Sequence, residues 1–129
     1  MKIKTLVAVL LLSGGVTSTF AQSDCNANSS ISHEAVRAKN FKDAYAPCMA
    51  VLKDCPTLRY YTYTDAQKIL TGLMSQIKDR NSAEYKKLFD ELMAVHDQKM
   101  KYIPEFASKM RGVPSVASAL GTKAVDYLQ

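Results

Sequence analysis

Tryptophan is absent from the 129 residues, histidine occurs twice, and glycine and proline number only five and four. So few turn-forming residues leave little room for the many tight reversals of an all-β sandwich. Two His, three Cys and no Trp also thin the supply of catalytic and metal-binding side chains. The apolar run Leu6–Leu12 is too short to span a bilayer, which takes ~20 residues. Basic residues exceed acidic ones by only 17 to 12, and Lys86-Lys87 is the longest basic run. Nucleic-acid binders concentrate Lys and Arg into a stripe or patch, so that function is not expected. What remains is a composition with 47% hydrophobic and 22% charged residues, that of an ordinary folded domain.

The N-terminus has the three-part plan of a secretory signal peptide. Lys2 and Lys4 form a basic start, the apolar run follows, and Thr19 and Ala21 place small residues three and one before a cut after Ala21. We therefore expect residues 1–21 to be removed on export, leaving 22–129 in the periplasm or outside the cell with no membrane span. Without Lys2 and Lys4, fifteen bases face twelve acids, a net charge of +3.

Along the mature chain the helical period dominates. Tyr85, Leu88, Leu92, Val95 and Ile103 recur at three- and four-residue steps, widened by Phe89, Met93 and Met100. They predict a helix from Ser82 to Ile103. Asn81 is the expected cap, with Glu84 three residues on. Tyr63, Ala66, Leu70, Leu73 and Ile77 predict a helix before it. Tyr60–Thr64 has strand propensity, but with no second strand to pair it reads as the first turns of that helix.

Upstream, Ile31–Ala38 is weakly amphipathic and stops at Lys39-Asn40, where Asn tolerates the left-handed conformation. Phe41, Ala44, Cys48, Val51, Leu52 and Cys55 mark the next helix, with Pro47 expected near its first turn and Pro56 closing it. Pro104–Met110 reads as a short separate helix before Gly112 and Pro114. Val116, Leu120, Ala124 and Tyr127 mark a last one. The expected fold is all-α: about five helices in antiparallel pairs with short connections.

Asn40-Phe41-x-Asp43-Ala44-x-x-x-Cys48, followed by Pro56, resembles the second helix of a tetratricopeptide repeat, with Cys48 in place of the usual aromatic. Leu120-Gly121-x-x-Ala124 looks like the first helix of another. Lys39–Ala44, Pro47, Asp54-Cys55-Pro56, Asp65–Leu70 and Leu92–Lys99 together resemble the N-terminal region of exported repeat proteins from anaerobic Gram-negative bacteria. The resemblance implies a short solenoid of about two and a half helix pairs over 22–129, cut before a repeat's second helix.

So short a stack needs an extra staple, and export makes a disulfide available. Three cysteines allow three single pairings. Cys48 and Cys55 lie seven apart on one helix. Their separation in rise is ~10 Å, beyond the ~7 Å that a disulfide spans. An antiparallel hairpin brings Cys25 and Cys55 together, so that pair is expected, with Cys48 a buried free thiol.

Catalytic motifs are nearly absent. His33-Glu34 begins like a zinc-protease helix, but Arg37 stands where the second His is required. No Cys-x-x-Cys, phosphate loop or Gly-x-Ser-x-Gly elbow occurs. His96 and Asp97 point about 100° apart on a helix and cannot form an oriented pair. Asp90-Glu91 reads as an exposed face. No enzyme activity, cofactor or metal is expected.

Two functions remain. The first is a protein-interaction module of the cell envelope, with Arg59, Tyr60, Tyr61 and Tyr63 as contacts to an unknown protein or peptide, because Tyr and Arg are enriched in binding hot spots. The alternative is a secreted helical protein holding a lipid or other apolar ligand between its helices, drawing on the Met and aromatic residues. The last helix is expected either to pack on the Ser82–Ile103 helix, leaving Val125 and Leu128 exposed, or to self-associate. Leu120 is placed in its packed face.

Overall fold

Residues 24–129 are described by a computed structural model. The expected signal peptide, 1–21, lies outside them. Five helices follow in order: α1 Cys25–Arg37, α2 Phe41–Asp54, α3 Tyr61–Ser75, α4 Ala83–Lys109 and α5 Val116–Leu128. Each packs on the next, and α1 also meets α3. The described residues are thus an all-α, solenoid-like stack of sequence-adjacent helix pairs.

Helix α1 begins six residues before the expected Ile31. Its inward positions are Cys25, Ser29, Ser32 and Val36, and Ile31 points to solvent. Small polar residues let α1 lie close to its neighbours but carry almost no hydrophobic signal, so periodicity understates the helix. It closes in a Schellman arrangement. Lys39 N–H donates to Val36 O over 2.9 Å, and Asn40 N–H donates to Ala35 O over 2.8 Å. The left-handed residue is Lys39, at φ 58°, rather than Asn40.

Helix α2 buries Ala44, Cys48, Val51 and Leu52 against α3 residues Tyr63, Ala66, Ile69 and Leu70. Ala44 and Ala66 are fully buried, as close helix approach requires. Pro47 stands seventh in α2, deeper than expected, and leaves the Asp43 carbonyl without its helical donor. The Tyr60–Thr64 segment does open α3.

Helix α4 runs 27 residues straight past Pro104, so the separate helix expected at Pro104–Met110 is its last turns. Phe106 explains the continuation. It is 3% exposed and packs edge-on against Tyr60 and Tyr63, at 5.5 and 6.0 Å between ring centroids. That burial outweighs one missing backbone bond. The cap is Ser82, whose Oγ accepts from Tyr85 N–H at 3.2 Å; Asn81 lies one residue outside.

The Cys25–Cys55 disulfide joins the start of α1 to the end of α2, with Cα atoms 6.4 Å apart. Cys48 is free and buried. Its thiol contacts Thr62 O, and burial, reinforced by the nearby Asp65 carboxylate, pushes its pKa up to about 12.

Helix α5 packs on α4, but through an unexpected side. Only Ala119 is buried, while Lys123 Nζ reaches Asp97 Oδ1 at 2.6 Å and Asp126 Oδ2 meets His96 Nε2 at 2.7 Å. Val125 and Leu128 are exposed as expected. Leu120, assigned to the packed face, is 55% exposed and Val116 also faces solvent, while Tyr127 is largely exposed with its ring against Phe89 of α4. The cause is polar. His96 is buried on α4 and needs partners, and in this rotation of α5 Asp126 supplies one beside Gln67.

Candidate functional site

A groove of about 540 Å³ runs between α1 and α3. Its floor is apolar. Val36 comes from α1 and Phe41 from the start of α2, and the Phe41 ring lies so close under Gly72 that a Cβ there would sit 2.4 Å from it. Glycine at 72 is therefore what lets the ring settle between α2 and α3.

The walls are ionic. His33 of α1 pairs through Nδ1 with Asp65 Oδ2 of α3 at 2.8 Å, and the Asp65 side chain is only 4% exposed. The Tyr61 ring covers the imidazole at 4.4 Å, and the Arg59 guanidinium stands 5.7 Å from the centre of the Tyr61 ring. Arg59 Nη2 also donates to Asn26 Oδ1 at 3.3 Å. Arg37, Lys39 and Lys68 line the same groove. Arg37 also touches Glu34 at 3.2 Å, but both side chains are 69% exposed. Such a pair contributes little and is easily exchanged for a ligand. The groove thus presents three cations and an imidazole against one buried carboxylate that is already engaged.

The four expected contact residues divide. Tyr63 is a core residue, 0% exposed; its OH donates to Pro56 O at 2.6 Å and accepts from Gln98 Nε2 at 3.1 Å. Burial pushes its pKa up to about 12. Tyr60 is half-buried against Phe106 on the α4 side. Only Arg59 and Tyr61 flank the groove. Hot-spot composition marks side chains able to bind, but burial decides which of them are available. Tyr63 shares the core-facing side of α3 with Ala66 and Leu70.

Asp65, Lys68, Arg37 and Lys39 were not legible as site residues. His33 and Asp65 are 32 residues apart, and no local pattern links them. His96 turns away from Asp97 to meet Asp126, and Asp97 binds Lys123. Glu91, read as exposed, accepts from Tyr45 OH at 2.7 Å, and burial together with that carboxylate pushes the Tyr45 pKa up to about 12. Among the described residues no cluster of His, Cys, Asp and Glu is arranged to hold a metal ion, and no helix is long and apolar enough to cross a membrane.

No family model, curated protein or solved structure matches this chain. Its site is therefore read from its own chemistry. A groove with an apolar floor and cationic walls suits an extended segment carrying both apolar and acidic side chains better than a purely apolar ligand.

Proposed function

We propose that this protein is a non-catalytic, tetratricopeptide-repeat-like interaction module of the cell envelope, and that its α1–α3 groove holds an acidic peptide segment of a partner protein. The observation that carries the reading is the meeting of Arg37, Lys39 and Lys68 around the Val36–Phe41 floor. Carboxylates of the ligand pair with the cations, and an apolar side chain rests on the floor. Backbone strain points the same way. Lys39 occupies a left-handed position where glycine is the ordinary choice, and strain of this kind is commonly retained where a side chain serves a ligand. The disulfide and the signal-peptide-like N-terminus support an exported location.

The test is fluorescence anisotropy with a labelled octapeptide alternating Glu and Leu, beside its Gln–Leu counterpart. The Glu peptide should bind more tightly, lose affinity as salt rises, and be weakened at least tenfold by Arg37→Glu with Lys68→Glu. Equal binding of the two peptides, or indifference to the double charge reversal, would overturn the reading.

A further inference from the structure

Helix α5 is the one described helix whose large apolar residues mostly face outward. Leu120, Val125 and Leu128 are 55, 55 and 82% exposed, while Tyr127, at the edge of that side, leans back on Phe89 of α4 with 5.7 Å between ring centroids. Its two charged residues are turned the other way, Lys123 to Asp97 and Asp126 to His96, so the outward side carries no charged side chain. Gly121 lies centrally on that side, with open space where a Cβ would stand. Ala117 and Ala124 flank it, also exposed.

We infer that a second copy of this chain covers this side, with the two α5 helices antiparallel and crossing at Gly121. Three features select a second copy. Around a two-fold axis each residue meets its own counterpart or near neighbours, so a charge near the axis would repel itself; α5 has removed both of its charged side chains from that side. A glycine at the crossing point allows two helices to approach closely. A specific interface needs about 1,000 Å² removed in total, and the exposed Leu120, Val125 and Leu128 with the small residues between them supply the apolar centre of such a contact on each copy. A contiguous apolar patch rimmed by polar residues is a mark of an interaction site.

The experiment is sedimentation velocity on the purified protein over a wide dilution series, with two variants. The unmodified protein should sediment as a dimer that dissociates on dilution. Leu120→Lys with Leu128→Lys should sediment as a monomer at every concentration while keeping its helical circular dichroism, because both side chains are exposed in the single chain. Gly121→Cys should form an intermolecular disulfide with its own counterpart under mild oxidation, whereas Ala107→Cys, exposed on α4, should not. A protein that is monomeric throughout would overturn the inference and leave the face to a different helix. Association that survives the double lysine change, or equal cross-linking at 107 and 121, would place the contact elsewhere and overturn it too.

Discussion

His96 of α4 donates from Nε2 to the Asp126 carboxylate of α5 across 2.7 Å, and the imidazole is wholly buried. A carboxylate can only accept, so Nε2 carries the proton and Nδ1 is left to accept. Gln67 Nε2 of α3 stands 3.0 Å from Nδ1, and Gln67 Oε1 faces Lys99 Nζ at 3.5 Å. The chain Lys99–Gln67–His96–Asp126 therefore satisfies a neutral imidazole at both nitrogens and ties three helices together.

Acidification should loosen α5. Burial lowers the His96 pKa below its ordinary 6.5, although the Asp126 hydrogen bond opposes the shift. A group depressed in the folded state gives its full stability above the unfolded value and loses it as pH falls through the folded one. Protonation would also turn a second N–H toward the Gln67 amide. The melting temperature should fall from pH 7 to pH 5, and His96→Asn should flatten that slope while costing about 1–3 kcal/mol at pH 7 through unpaired buried partners. A pH slope unchanged by the substitution would contradict this.

Lys99 should tolerate an apolar replacement. The residue is only 3% exposed, yet its one hydrogen bond is the long contact to Gln67. Burial, ahead of the opposing pull of Asp126, lowers its pKa, so the charged form is destabilised. Lys99→Met keeps the apolar stem and removes the ammonium. Relief of the buried charge opposes loss of the Gln67 contact, so urea titration should show a change within about 1 kcal/mol; a larger loss would show that Lys99 holds the Gln67–His96–Asp126 chain in place.

Loss of the disulfide should be costly. Cys25 and Cys55 are separated by 30 in sequence. Closing such a loop is worth about 3.5 kcal/mol on the chain-entropy model. Cys25→Ser should lower stability by that order in chemical denaturation, and reducing agent should then have no further effect. Equal stability of the reduced and oxidised proteins would show that helix packing alone holds α1 against α2.

Lys39→Gly should separate stability from binding. Relief of the left-handed conformation should stabilise the fold by about 1 kcal/mol. Removal of a groove cation should at the same time weaken the acidic octapeptide, and thermal melts with anisotropy on one sample would read both. Stabilisation with undiminished affinity would take Lys39 out of the groove's function.

The helices themselves were legible because their signals are local. The period of Leu88, Leu92 and Val95, or of Ala44, Cys48 and Val51, records which side of a helix avoids water wherever its neighbours lie. The Cys25–Cys55 pairing followed from the hairpin, since chain length and helix direction already bring those two ends together. Boundaries were less legible at Cys25 and Pro104. In α1 much of the buried face is serine. In α4 a distant aromatic contact, Phe106 on Tyr60 and Tyr63, carries the helix through a proline that local rules treat as a stop.

Pairing of polar groups lies beyond such local signals. His33 finds Asp65 and His96 finds Asp126 across 32 and 30 residues, and each pairing depends on how far one helix is rotated and shifted along another. In α5 that dependence reverses the pattern reading. Its apolar stripe predicts Leu120 inside, but the observed rotation turns Leu120 outward and brings Asp126 to the buried imidazole on α4. An apolar side chain left in water costs about 1.5–3 kcal/mol. A buried polar group without a partner costs a similar amount, about 1–3 kcal/mol, so the His96–Asp126 and Lys123–Asp97 pairs together are of a size to offset the exposure of Leu120. Sequence period set where the helices are. The register between them decided which faces meet, and so placed both the cationic groove and the uncovered side of α5.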